Sequence, residues 1–250
     1  MLRIALIGYG QMGKLLEETA PDCNCQVVSI IDPQLKNDIN PETLNSAEVA
    51  IDFSLPGAVR ENVEKLAPLC PYLVIGTTGW SEQSAAIRNL AIEYNLGIVY
   101  GSNFSPGMNH FYLLVEQAAR QLGNSPEYDP WGLELHHKLK MDSPSGTARD
   151  LADIIISASS AKTEAQYDRV KRPISTEELH FASVRAGHIP GTHVIGFDSE
   201  ADSIELRHTA HNRRGFVLGA LQAAHWIKDR PGFFNFRENF REILGISHET

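Results

Sequence analysis

The sequence predicts an α/β protein: an N-terminal Rossmann-type, doubly wound parallel sheet followed by a second, α+β domain. Three observations carry that prediction. Apolar, β-branched runs recur through the first hundred residues with helical patterns between several of them, as parallel strands covered on both faces require. A Gly8-Tyr9-Gly10-Gln11-Met12-Gly13 run follows the first apolar run and opens a helix, the context that gives such a glycine pattern its meaning. From about Pro106 the regular alternation stops, and the remaining strands and helices read as α+β.

The elements follow in order. Residues 3–7, 26–31, 47–53, 72–75 and 96–100 predict strands, and 57–69 and 81–94 predict helices. Phe111, Leu114, Val115 and Ala118 recur at helical spacing and predict a long amphipathic helix after Pro106. A strand over 131–136 ends in an unusually polar stretch, and a helix runs from about Ser145 to Ser157. Residues 158–178 are polar and read as a surface loop. Strands near 191–198 and 203–208 flank a Ser-Glu-Ala-Asp turn and predict a hairpin. A closing helix carries Phe216, Ala220, Ala223 and Ile227.

Composition narrows the function. A chain of 250 residues can form one large domain or two modest ones. Its net charge of −9 argues against a nucleic-acid partner or an anionic membrane surface. Three cysteines, Cys23, Cys25 and Cys70, read as reduced thiols. The first apolar run is too short for a signal peptide or a membrane span, so a cytoplasmic protein is expected. The ten histidines show no metal-ligand spacing, and no metal is expected.

In the glycine run, Gly8 allows a tight turn, Gly10 a close approach to a pyrophosphate, and Gly13 close packing of helix on strand. The helix N-terminus then offers N–H groups to phosphate. Asp32 ends the second strand, 24 positions after Gly8, where an acid can accept from ribose hydroxyls. Gly76-Thr77-Thr78-Gly79 and Asp52-Phe53-Ser54 lie at strand C-termini, where open α/β sheets bind ligands. Either is also compatible with ordinary turn chemistry.

The densest chemistry is the run from His136 to Ala148. His136, His137, Lys138 and Lys140 make a cationic, proton-donating patch at a strand end. Ser145, Gly146 and Thr147 open a helix and offer backbone and hydroxyl donors to a carboxylate. A histidine is well suited to donate a proton near neutral pH.

The stretch E-x-H-H-x-x-K-x-D-S-P-S-G-T-A, Glu134 to Ala148, closely resembles the signature of the dihydrodipicolinate reductase family. Asp52-Phe53-Ser54, Gly76–Gly79, Asn103-Phe104-Ser105, Arg185–His188, Gly191-Thr192-His193, Glu205–Ala210 and the Arg213–Ala224 stretch extend the resemblance over nearly the whole chain. The resemblance implies NAD(P)H-dependent reduction of a small cyclic dicarboxylate, (4-hydroxy-)tetrahydrodipicolinate or dihydrodipicolinate, to tetrahydrodipicolinate in diaminopimelate and lysine biosynthesis. It implies His136 as general acid with Lys140 as its partner. His137, Ser145, Gly146 and Thr147 match substrate-carboxylate positions. With the glycine loop, the cofactor-facing set becomes Gly8, Gly10, Gln11, Met12, Gly13, Asp32, Ser54, Gly76, Thr78, Ser102 and Phe104. The resemblance also implies a discontinuous dinucleotide domain, 1–105 plus 216–250, a substrate and oligomerisation domain over 106–215, and a homotetramer.

One departure matters. Many members carry an Arg in the glycine loop; here the loop is one residue shorter and Gln11 stands in its place. With Asp32 followed by no cation until Lys36, NADH is expected to be preferred and NADPH usable. The alternatives are another Rossmann-fold amino-acid or keto-acid dehydrogenase, or a non-catalytic NAD(H) sensor. A sensor should carry a DNA-binding module and a basic patch, and neither is visible.

Overall fold

A computed structural model describes residues 1–246. The chain divides into two compact units, Met1–Pro106 with the chain from Arg213 on, and Gly107–Asn212.

The first unit begins with five parallel strands, β1 (Leu2–Ile7), β2 (Cys25–Ile31), β3 (Val49–Asp52), β4 (Tyr72–Ile75) and β5 (Gly97–Tyr100). Four helices alternate with them: α1 (Gln11–Thr19), a single turn α2 (Pro41–Leu44), α3 (Val59–Leu66) and α4 (Ser84–Glu93). The strands are apolar on both faces because both faces are covered. Ala5, Ile7, Ile75 and Ile98 pack with Val59, Val63 and Ile87 from α3 and α4 in one buried cluster. Each of these Ile and Val side chains contributes about 1.5–3 kcal/mol through burial.

The second unit opens with α5 (Pro106–Leu122) and β6 (Asp129–His136). It continues through α6 (Gly146–Ala158), β7 (Glu164–Gln166), β8 (Glu178–Arg185), β9 (Thr192–Asp198) and β10 (Ser203–Thr209). The sheet order is β10-β9-β6-β8-β7. Strands β6, β7 and β8 run parallel, while β9 is antiparallel to both β6 and β10. Phe111, Val115, Leu151 and Ile155 of α5 and α6 pack on Leu179, Phe181, Ile195 and Phe197 and cover one face. On the opposite face Leu133, Leu135 and Ala182 are half-buried and Val184 is exposed.

The chain then returns to the first unit. Helix α7 (Arg214–Ile227) lies against β3, β4 and β5. Strand β11 (Gly232–Asn235) adds in parallel to the β5 edge, giving the order β11-β5-β4-β3-β1-β2. A short α8 (Phe240–Ile243) follows. Residues 247–250 of the expected dinucleotide domain lie outside the described residues.

The α/β fold class expected from the sequence is the one observed, with three differences in detail. The stretch 158–178 is not only loop: it contains β7, and Lys162 is buried, with Nζ donating to the Glu178 carbonyl at 2.9 Å and 2.5 Å from Asp129 Oδ1. A three-residue edge strand of Glu, Ala and Gln has no apolar alternation to betray it. Strands β8 and β11 are also additional to those predicted. Each gains its place from pairing with sequence-distant partners, β6 and β5 respectively.

Candidate active site

In the first unit the glycine loop joins β1 to α1. Gly8 has φ +91°, and a Cβ there would lie 2.6 Å from the Phe53 carbonyl oxygen. A Cβ on Gly13 would lie 2.4 Å from the Gly8 carbonyl oxygen, so both positions exclude side chains. Gly10 caps α1 with no side-chain hydrogen bond. The N–H groups of the first turn, Gln11, Met12 and Gly13, therefore have no intrahelical acceptor and suit an anion.

Asp32 closes this loop from β2. Its Oδ2 accepts from the Tyr9 N–H at 2.7 Å and its Oδ1 from the Gln34 N–H at 2.8 Å. The carboxylate is thereby fixed beside the glycine turn. Thr77 is buried, whereas Thr78 and Ser102 are exposed and Gly76 and Ser54 partly so. Phe104 is 1% exposed and packs on Phe53 and Phe236. Its ring belongs to the core and its carbonyl packs against Gly219, so Phe104 shapes this edge from beneath. Arg213 Nη1 donates to Gln11 Oε1 across 202 residues of sequence. The loop that lacks its own arginine thus has one beside it, and no local pattern could have shown this.

In the second unit the site is built on strand register. Glu134 pairs with Ser183 on β8 and His193 on β9, and His136 pairs with Arg185. Residues two apart on a strand share a face, so Glu134 and His136 point the same way, and both are buried. Glu134 Oε1 accepts from Ser145 N at 3.0 Å, Ser183 Oγ at 2.7 Å and Arg185 Nη2 at 2.7 Å. Oε2 accepts from Ser145 Oγ, and lies 3.3 Å from His136 Nδ1 and 3.5 Å from His193 Nε2. The His136 approach is close but not aligned as a full hydrogen bond. The His136 and His193 rings meet edge to face at 5.2 Å. A Cβ on Gly191 would lie 3.1 Å from His136 Nε2, so the absence of a side chain keeps room at that nitrogen.

Electrostatics follow from these partners. Burial pushes the Glu134 carboxyl up, but the facing His136 and His193 rings, with the Ser145 and Arg185 donors, outweigh it and hold its pKa well below the usual carboxylate range. Burial depresses the His193 pKa, and Glu134 offsets this only in part. Glu134, His136 and His193 bring three potential metal ligands within 4.8 Å. Yet Arg185 and two serines already occupy the carboxylate, a donor set that suits a held anion rather than a cation.

The neighbouring loop carries Lys140, whose Nζ donates to Asp142 Oδ1 at 2.7 Å. Ser145 caps α6, its Oγ accepting from the Ala148 N–H at 3.1 Å. Ser145 is therefore engaged inside the protein, with Glu134 and with the helix. Gly146 is exposed and Thr147 half-buried at the helix start, where first-turn N–H groups are available to an anion. His137 is half-buried. The structure brings His136, Lys140, Ser145, Gly146 and Thr147 into one unit, and adds Glu134, Ser183, Arg185 and His193. Of these added residues, Glu134 had one local signal: a carboxylate two places before a histidine on a strand.

The glycine-loop dinucleotide fold of the first unit, with histidines, Lys140 and Arg185 gathered in the second, matches the class of nicotinamide-dependent oxidoreductases. The chain belongs to the dihydrodipicolinate reductase family, the N-terminal model of which matches residues 2–104 and the C-terminal model residues 107–240. Its activity is the family's, in diaminopimelate and lysine biosynthesis, with an NAD(P)H-type cofactor. The chain is 36% identical over 244 residues to the 4-hydroxy-tetrahydrodipicolinate reductase of Christiangramia forsetii, covering 97% of this chain and 99% of that one. It is 33% identical to the protein of the same name from Methanosarcina barkeri, covering 98% and 100%. The solved dipicolinate-bound dihydrodipicolinate reductase from Paenisporosarcina sp. TG-14 shares the fold, with a TM-score of 0.76 at 24% identity over 95% of this chain and 99% of that one.

Proposed function

We propose that the chain reduces 4-hydroxy-tetrahydrodipicolinate, or its dehydrated form, to tetrahydrodipicolinate. The observation that carries this reading is the Glu134 node, which seats His136 in the same unit as Lys140 and the α6 N-terminus. The first unit would hold the dinucleotide and the second the dicarboxylate, the role implied for a small dicarboxylate by the dipicolinate-bound relative. The residues fit a dinucleotide: two glycines that exclude side chains, an uncapped helix N-terminus and a fixed carboxylate.

When bound, the reduced nicotinamide would supply a hydride to the conjugated C=C–C=N system of the dehydrated ring, which the 4-hydroxy form reaches by losing its hydroxyl as water. This chain's residues do the rest. Gly146 and Thr147 bind a substrate carboxylate through N–H and hydroxyl donors. Lys140 exchanges Asp142 for the substrate and stabilises the charge that develops. His136 delivers the proton that completes the reduction, leaving a neutral imidazole against Glu134.

Asp32 favours NADH over NADPH, and Arg213 keeps NADPH usable. The apolar sheet face with Leu133, Leu135, Ala182 and Val184 supports a homotetramer. Among the described residues no helix is long and apolar enough to cross a membrane, and the three free cysteines are consistent with a cytoplasmic enzyme. The test is NADH oxidation followed by absorbance with freshly generated substrate. His136→Ala should lower kcat by about 10²–10⁴ with NADH binding intact. A variant that keeps most of its kcat would remove His136 from the chemistry.

A further inference from the structure

Beneath the expected cofactor edge of the first unit lies a buried carboxylate, Asp52, 1% exposed at the end of β3. Its Oδ1 accepts from Ser54 N at 2.9 Å, Ser54 Oγ at 2.7 Å and Thr77 Oγ1 at 2.8 Å. Its Oδ2 accepts from Asn62 Nδ2 of α3 at 2.9 Å, and the same amide donates to Ser54 Oγ at 3.1 Å. The Asp52 carbonyl accepts from Gly76 N at 2.8 Å and Thr77 N at 3.2 Å. Trp80 Nε1 donates to the Thr77 carbonyl at 2.7 Å. One residue therefore ties together the β3 end, α3 and the turn after β4.

These bonds assign opposite duties to adjacent threonines. Thr77 is turned inward onto Asp52, and Thr78 is left exposed at the sheet edge. Without the inward anchor the Gly76–Gly79 turn could present either hydroxyl. A charged acceptor holds hydroxyl and N–H donors about twice as strongly as a neutral one, which explains a carboxylate at a place where no cation pairs with it among the described residues.

We propose that Asp52 is a positioning residue for the dinucleotide: it acts through Thr77 and Ser54 to preset the turn that presents Gly76 and Thr78. The proposal rests on the reading that the dinucleotide lies along this edge. Preorganisation of this kind raises affinity by removing the ordering that binding would otherwise require.

The experiment titrates NADH into the full-length enzyme and its Asp52→Asn, Thr77→Val and doubly substituted variants, reading NADH fluorescence, with dicarboxylate KM and Tm measured alongside. Each single variant should weaken NADH binding on the order of tenfold, as loss of a charge-assisted hydrogen bond does. The double variant should be no weaker than the weaker single, because both remove one contact. The dicarboxylate KM should stay within about twofold. Gly10→Val is the control for the underlying reading: a Cβ at Gly10 meets nothing within 4 Å, so the fold tolerates it while the phosphate space is filled. If Gly10→Val binds NADH as the parent does, the cofactor lies elsewhere and the reading itself falls. If Gly10→Val abolishes binding, but the single variants change it by less than about threefold or their losses simply multiply, Asp52 is structural and the proposal alone is overturned. Should Asp52→Asn fail to fold, the cycle of Thr77→Val with Ser54→Ala reads the same coupling.

Discussion

The two units build their binding surfaces from different materials. The glycine edge of the first unit is made of backbone: a turn at positive φ, close backbone contacts that exclude side chains, and an uncapped helix N-terminus. The site of the second unit is made of side chains from β6, β8, β9 and the start of α6, all converging on Glu134. A backbone site depends on a few positions having no side chain. A side-chain site depends on every partner of a buried charge. At Gly10, which is open, the first therefore fails by losing ligand, while side chains at Gly8 and Gly13 would also strain the backbone; the second fails by losing both stability and chemistry.

The strongest way to break this contrast is at its centre. Glu134→Ala leaves Arg185 and two histidines without their buried anion and should destabilise the protein by about 3–5 kcal/mol. Gly10→Val, by comparison, should leave Tm nearly unchanged. The same node sets an acid limit. Its folded pKa is depressed, so its stabilisation is complete above the ordinary value of 4.5 and lost as pH falls below that towards the folded value. His193 adds an earlier loss: its own folded pKa lies below 6.5, so the unfolded chain takes up the proton first as pH falls through 6.5. Melting curves from pH 8 to 3 should decline in these two steps, with His208, also depressed by burial, adding to the upper one. Glu134→Gln should shrink the lower one, which Glu178, Asp142, Asp38 and Glu48, each held low by a cationic partner, share. A lower step of unchanged size would move the acid sensitivity to those groups.

A smaller effect sharpens the substrate side. Thr147→Val keeps shape and removes one hydroxyl donor at the α6 start, so the dicarboxylate KM should rise about tenfold with NADH affinity unaltered. An unchanged KM would remove Thr147 from the carboxylate cradle. The smallest effect concerns the cofactor. NADH should be favoured over NADPH by about 1–2 kcal/mol in kcat/KM. Because Arg213 rather than a loop residue stands beside Gln11, Arg213→Ala should widen that gap by weakening NADPH further. A parent enzyme that prefers NADPH would show that Arg213 outweighs Asp32.

The sequence by itself determined what is local. The glycine turn, Asp32 at the end of β2, the Ser145 cap and the run from His136 to Thr147 were legible because each depends on neighbours a few residues away. The doubly wound class was legible for the same reason, since strand and helix periodicities are short-range patterns. Tertiary structure alone decided the partners. Strand register placed Ser183 and His193 against Glu134 and Arg185 beside His136. The return of α7 brought Arg213 to Gln11, and strand order turned Thr77 inward onto Asp52. It also took Ser145 and Phe104 away from simple ligand contact, one into a buried hydrogen-bond node and the other into an aromatic core. The physical reason is that a buried charge must be satisfied by whatever donors the fold brings to it, and sequence separation carries no information about which donors those are.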